Sequence, residues 1–311
     1  MIPIKTANIE NICKNYCDAI LSYFEKPKVK KKIGYINRTI SDLLIKNDDV
    51  TDLIKALPEK LNKYVSSYNG LKPLEKLRMF YAFYSFPSYY RYLVSEKKFK
   101  YKNFMTPYLA KSIINDLNIK VCPYCNRNFI IDSPKIRSSE FDHFYPQNKY
   151  PFLAISFYNL VPSCKVCNHG KESQDEDIIH PYDKEYKFDK IEFDYEATGV
   201  GFLYDESQIK IKLKHLDSPD DSKLKGSKQV FDLETLYQYH RDVVMELIQK
   251  REVYTDEYLR DLVKYMGEKK IHLDRGSLLR LITGNFVEEE NLSKRPLAKL
   301  NRDIAKKLGF L

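Results

Sequence analysis

Four cysteines stand out first. They form two pairs, Cys122-Pro123-Tyr124-Cys125 and Cys164-Lys165-Val166-Cys167, with 38 residues between them. A Cys-x-x-Cys turn lets two thiolates meet one ion from a single backbone knuckle, and two such knuckles complete a tetrahedral Zn²⁺ site. The alternatives are two unrelated thiol pairs or disulfides, and a reducing cytoplasm disfavours disulfides. The separation exceeds that of a simple zinc ribbon, so something is inserted between the knuckles. The insert carries Asp142-His143 and Asn159-Leu160, and Asn168-His169-Gly170-Lys171 follows the second knuckle. The other two cysteines, Cys13 and Cys17, lie four apart on an apolar helix face and read as buried free thiols.

This order resembles the HNH endonuclease family, the ββα-metal nucleases. Its pattern is Asp-His, a later Asn, then Cys-x-x-Cys-Asn-x-x-Lys, often with an earlier Cys-x-x-Cys, and each part is present here in order. The resemblance covers about residues 120–183, roughly a fifth of the chain. A narrower set is similar to the nuclease subunit of Septu-type bacterial anti-phage systems and related retron effectors. It comprises Cys122-x-Tyr124-Cys125, Asp142-His143-Phe144-x-Pro146, Lys149-Tyr150-Pro151, Asn159-Leu160, Ser163-Cys164-x-x-Cys167-Asn168 and His180-Pro181-x-Asp183. Those nucleases work beside an ATPase partner.

The resemblance implies roles. Phosphodiester hydrolysis needs an activated water and neutralisation of charge on the phosphate. His143 takes the place of the general base, a task suited to a group titrating near neutrality. Asp142 and Asn168 take the places of ligands to a catalytic Mg²⁺ or Mn²⁺, hard ions that prefer oxygen donors. His169 is the adjacent alternative to Asn168. Asn159 would bond loop backbone and hold the base rather than touch metal. Lys171, three residues beyond Asn168, would contact a phosphate or be a solvated lysine. His180 and Asp183 would be accessory. The Cys122, Cys125, Cys164 and Cys167 site would be structural, since four thiolates leave no open position.

The elements that carry these residues can be read coarsely. Apolar positions at Ile9, Ile12, Cys13, Tyr16, Cys17, Ile20 and Phe24 predict a helix that Pro27 stops. Further helices are expected over 38–46, 50–68 with Pro58 interrupting, 73–86 and 107–117, making 1–117 a helical N-terminal region. Phe129–Asp132 and Ile136–Phe144 read as a hairpin around Ser133-Pro134-Lys135, and a helix begins near Cys164. The core spans 118–183. Over 184–311, segments 190–195, 201–204 and 208–213 alternate as a meander. A polar loop follows over 217–227, then helices over 233–251, 255–267, 275–283 and 296–308. The fold class is α+β: a zinc-clamped ββα-metal core with helical extensions on both sides and a small meander.

Composition bounds the reading without deciding it. The 311 residues carry 52 Lys+Arg against 43 Asp+Glu, a net charge of +9, which permits a polyanionic partner such as DNA without demanding one. The densest basic run, Lys26–Lys32, reads as a solvated loop after a helix, with a phosphate-contacting arm as the alternative. No apolar run spans a bilayer and no signal-peptide plan opens the sequence, so a cytoplasmic protein without membrane contact is expected. A zinc-stabilised nucleic-acid or protein adaptor with a decayed site is the competing reading. Asp142, His143 and Asn168 are all intact, which favours the enzyme.

Overall fold

The computed structural model describes residues 1–25, 27–84, 107–132, 138–172, 174, 176–271 and 274–311. Helix α1 (Ile9–Phe24) buries the apolar face its spacing predicts. Pro27 does not merely end it. Pro27 opens α2 (Pro27–Leu43), because proline is tolerated in the first helical turn, where its missing N–H has no partner to lose. The lysine run is therefore mostly helical rather than a loop. Next come α3 (Val50–Lys55) and α4 (Pro58–Gly70), split at Pro58. Asp49 starts α3 by accepting from the Thr51 and Asp52 N–H groups, while Asp52 accepts from the Asp49 N–H. Helices α5 (Pro73–Tyr84) and α6 (Pro107–Leu117) complete this region, and the end of the helix expected over 73–86 lies outside the described residues.

The helices cradle the segment that precedes the second knuckle. Tyr16 Oη donates to Ile155 O at 3.0 Å and Ser156 Oγ to Leu53 O at 2.7 Å. Residues Pro151–Ile155 and Phe157–Asn159 form two short 3₁₀ turns, all of them buried.

The strands pair differently from the expected hairpin. Strand β1 (Ser139–His143) pairs antiparallel with β2 (Leu160–Cys164), with His143 opposite Leu160 and Ser139 opposite Cys164. Phe129 bridges Val121 instead, and the Ser133-Pro134-Lys135 turn lies outside the described residues. Strand β2 is buried throughout and runs directly into α7 (Lys165–Lys171), which packs on both strands.

The expected meander is a two-stranded antiparallel sheet, β3 (Ile191–Ala197) and β4 (Ile209–His215), and residues 201–204 form a turn. Strand β4 alternates buried Ile209, Ile211 and Leu213 with exposed Lys210, Lys212 and Lys214. Part of the polar stretch expected as a loop is helix α8 (Ser222–Val230), N-capped by the Asp221 carboxylate at 2.6 Å from Leu224 N. Gly226 is required there, since a Cβ would meet the Asp177 carbonyl oxygen at 2.3 Å. The helix expected over 233–251 breaks at 238–240 into α9 (Leu233–Tyr237) and α10 (Arg241–Val253). Helices α11 (Asp256–Glu268), α12 (Arg275–Thr283) and α13 (Ala298–Lys307) follow, and α13 lies against β3. One buried apolar cluster runs from Met1 to Ile304, and a smaller one joins Leu278, Ile282 and Phe310. No described helix is long and apolar enough to cross a membrane.

Candidate functional site

The two knuckles meet. The sulfurs of Cys122, Cys125, Cys164 and Cys167 lie within 4.8 Å of one another and all four residues are buried. Zinc–sulfur bonds of about 2.3 Å require sulfurs ~3.8 Å apart, so the donor set fits a zinc ion. The surrounding donors fit anionic sulfur: Asn128 Nδ2 reaches Cys164 Sγ at 3.3 Å and Arg127 N reaches Cys125 Sγ at 3.4 Å. The first knuckle closes through Asn126, whose φ of +50° lies in the left-handed region that asparagine tolerates. Its side chain donates to Leu292 O at 2.9 Å and accepts from Lys299 N at 2.9 Å, and its carbonyl accepts from Leu297 N at 2.7 Å. Tyr237 Oη donates to the Cys125 carbonyl at 2.6 Å. The C-terminal region thus bonds the Cys125 and Asn126 carbonyls, while Ile2 N bonds that of Pro123.

Asp142 and His143 end β1, and alternation sends their side chains to opposite faces. Asp142 faces the first knuckle and is 3% exposed. Its Oδ2 accepts from Tyr124 Oη at 2.6 Å and its Oδ1 from Lys171 Nζ at 3.2 Å. Burial raises the Asp142 carboxyl above its usual range, against the pull of the Lys171 ammonium. Tyr124 is held in turn by stacking on Phe231 at 4.5 Å.

His143 is half-buried, with Nε2 3.3 Å from Ala154 O. Burial pushes its pKa down to about 4, below the near-neutral value expected, so the imidazole is neutral at pH 7. Asn159 lies beside it, fully buried. Its Nδ2 donates to Tyr145 O at 3.2 Å and Leu153 O at 3.0 Å, and its Oδ1 accepts from Tyr145 N at 2.8 Å. One amide therefore fastens both ends of the loop that follows His143.

Asn168 is half-buried on α7, and its Nδ2 donates to Glu140 Oε2 at 2.7 Å. Glu140 is two residues before Asp142, on the same face of β1. Asp142, Glu140 and Asn168 thus share one side of the hairpin. Adjacent His169 is exposed. Lys171 is neither solvated nor free for a phosphate: it is 1% exposed, and its ammonium also donates to His143 O at 2.8 Å. His180 is buried, with its ring 3.9 Å from that of Phe144. Its Nδ1 accepts from Tyr182 N at 3.2 Å, and Nε2 has no partner among the described residues. Burial holds its pKa at about 3. Asp183 is not drawn into the site. Its Oδ1 closes a turn by accepting from Glu185 N and Tyr186 N, and it pairs with Lys223 at 3.5 Å.

Sequence reasoning missed Glu140 and the bond that Tyr124 makes to Asp142. Glu140 was legible in principle, because strand alternation places it beside Asp142. Tyr124 stood in the sequence as part of the Cys-x-Tyr-Cys pattern, but its bond to Asp142, 18 residues away, carried no local signal.

Residues 122–174 match the family model for HNH endonuclease, so the chain carries an HNH endonuclease domain. It is 37% identical over 78 residues to a Septu protein PtuB of Bacillus thuringiensis, a match covering 24% of this chain and 29% of that protein. It is 39% identical over 74 residues to protein ea31 of Escherichia phage lambda, covering 22% of this chain and 23% of that protein. The chain therefore spans under a third of the length of these curated relatives. No solved structure matches it.

Proposed function

We propose that the chain is a metal-dependent endonuclease that hydrolyses DNA phosphodiester bonds, working in bacterial anti-phage defence beside an ATPase partner. The observation that carries this reading is local. Strand β1 ends on Asp142-His143, a buried asparagine fastens the loop beyond it, and the same hairpin runs through Cys164 into the helix bearing Asn168. We take β1, β2 and α7 as the ββα-metal core. The likeness to a Septu protein supports the defence context, and the resemblance of the motif set supports the partner.

His143 is the general base. Its ring is neutral at pH 7 and can take a proton from the attacking water. Asn159 is a positioning residue that holds the His143 loop by bonds to Tyr145 and Leu153. Asp142 and Asn168 supply one carboxylate and one amide oxygen, hard donors that suit Mg²⁺ or Mn²⁺. Such an ion would neutralise charge on the phosphate and the leaving oxygen. The zinc held by four cysteines would be structural, because a two-stranded hairpin and a seven-residue helix bury too little to hold this geometry alone.

Plasmid cleavage by the purified protein with Mg²⁺ or Mn²⁺, beside His143→Ala and an EDTA control, tests the proposal. Metal-dependent cutting that the variant loses at unchanged thermal stability is the expected result. Cutting by His143→Ala at the wild-type rate would reject the base. If the protein is inert alone, cutting should appear on adding the partner and ATP.

A further inference from the structure

Helix α12 and the loop between it and α13 gather three cations around one ring. Arg280 stands on the helix, and Lys294 and Arg295 stand in the loop. Their charged groups lie 5.3, 5.9 and 5.4 Å from the centre of the Phe286 ring. The negative face of an aromatic ring attracts a cation. It does not cancel the repulsion among three like charges, at distances that salt screens only in part. All three residues are exposed, and among the described residues none of them forms an ion pair. The nearby carboxylates are spent elsewhere. Asp274 caps α12 by accepting from Ser277 N at 2.7 Å, and Glu289 faces Lys5 and Arg302. The basic edge of the small sheet shows the contrast. There Lys212, Lys214, Lys306 and Lys307 each pair with a carboxylate of β3, so that face is neutralised.

The loop that carries the unpaired cations is held firmly. Gly284 ends α12 with φ +72°, its carbonyl accepts from Arg295 Nη1 at 2.8 Å, and Asn285 Nδ2 donates to Pro296 O at 2.8 Å. Lys120 N donates to Ser293 O at 2.9 Å and Asn126 Nδ2 to Leu292 O at 2.9 Å. The same loop is thus bonded on both sides of the first cysteine pair. We infer that Arg280, Lys294 and Arg295 form a phosphate-binding patch that grips the DNA backbone outside the HNH domain. The inference rests on the nuclease reading for the identity of the polyanion. Two guanidinium groups offer forked donors that match phosphate oxygens. Phe286 is half-buried and its ring is already attended by cations, so the patch offers charge rather than a stacking face. The contact is therefore with phosphate and independent of base sequence.

Fluorescence anisotropy of labelled duplexes of unrelated sequence tests this, with the zinc-loaded full chain and no added Mg²⁺ or Mn²⁺. Wild type is compared with Arg280→Gln/Lys294→Gln/Arg295→Gln across about 50 to 200 mM salt. The plot of log affinity against log salt should become shallower by about 2.5, and affinity at 0.1 M salt should fall about tenfold, for each duplex alike. A charge-matched control, Lys184→Gln/Lys187→Gln/Lys225→Gln, removes three exposed lysines that form no ion pair among the described residues, and should keep the wild-type slope. An unchanged slope in the patch variant at the wild-type melting temperature would overturn the patch and leave the nuclease reading standing. So would an equal loss in the control, which would assign the effect to net charge. If the triple variant does not fold, Arg280→Gln/Lys294→Gln keeps the Arg295 bond to Gly284, and its slope should fall by about 2. A wild type that neither binds duplex nor cuts it with Mg²⁺ or Mn²⁺ would overturn the nuclease reading itself, and the patch with it.

Discussion

Among the described residues, two lysine–aspartate pairs are almost completely buried, and they are built differently. Lys299 and Asp303 lie four residues apart on α13, with Nζ and Oδ2 2.9 Å apart. Lys299 also donates to Ile191 O at 2.5 Å, and the same Asp303 oxygen accepts from Phe193 N at 2.9 Å. That pair pins a helix to the backbone of β3. Lys171 and Asp142 come from a helix and a strand 29 residues apart, and a tyrosine from the first knuckle completes their set. Their side-chain exposures are nearly identical, so depth of burial does not separate the pair that pins a helix from the pair beside His143. The arrangement of partners does. Around Asp303 the bonds close on one helix and one strand edge. Around Asp142 three separate segments converge on a carboxylate beside a histidine.

Stripping the ion from the four-cysteine cluster, by chelation or by Cys164→Ser, should damage both regions at once. The first knuckle carries Tyr124 toward Asp142 and Asn126 toward α13. Zinc contributes on the order of 10 kcal/mol to small folds of this kind, so the cooperative thermal transition should disappear. An unchanged melting curve would deny the cluster any structural role.

Single charge removals should then split the pairs. Asp142→Asn should lower cleavage by at least ~100-fold, because the variant lacks the anionic oxygen assigned to the ion. Asp303→Asn leaves Lys299 buried without its anion and should cost about 3–5 kcal/mol in denaturant unfolding, with cleavage per folded molecule unchanged. Equal losses of cleavage from both changes would erase the distinction.

Acid should act on the site side. His180 is held at about 3 and His143 at about 4 by burial, against an unfolded value of about 6.5. The unfolded chain binds those protons first, so stability should fall as pH drops from about 6.5 toward 3. His180→Phe keeps a ring against Phe144 and removes one titration. It should recover a few kcal/mol of the acid loss, as read in urea melts at pH 4 and pH 7. An identical acid limb would place the loss elsewhere.

The smallest effect should come from replacing the scaffold pair outright. Lys299→Met with Asp303→Leu removes both charges and should change stability by roughly 1 kcal/mol or less, or raise it, with cleavage retained. A loss as large as that of Asp303→Asn alone would show that the pair's bonds to β3 matter more than its charge balance.

What the sequence revealed follows from how local each signal is. Helix α1 was legible because its apolar positions recur with the helical period, and the four-cysteine cluster because each knuckle is complete within four residues. The partner of β1 was not. Leu160-Val161 looked like part of a motif rather than a strand, and pairing across the intervening 3₁₀ turns is a long-range choice. Helix α8 was hidden because only Leu224, Ser227 and Val230 of its nine residues are buried. The burial of Lys171 was the least accessible, since a charged side chain goes inside only where a distant segment supplies its partner.

Asn126 links the start of the core to residues far downstream. Its partners at Leu292 and Lys299 lie 166 and 173 residues later, and Tyr237, which bonds Cys125, lies 112 later. On a ribosome adding about 5–20 residues per second, the last of these emerges roughly 9–35 seconds after the knuckle itself. Until then the Asn126 side-chain oxygen lacks the Lys299 N–H that it accepts from in the finished fold. Completion of the site is therefore timed by synthesis of the C-terminal helix, and a truncated product of translation leaves it unfinished.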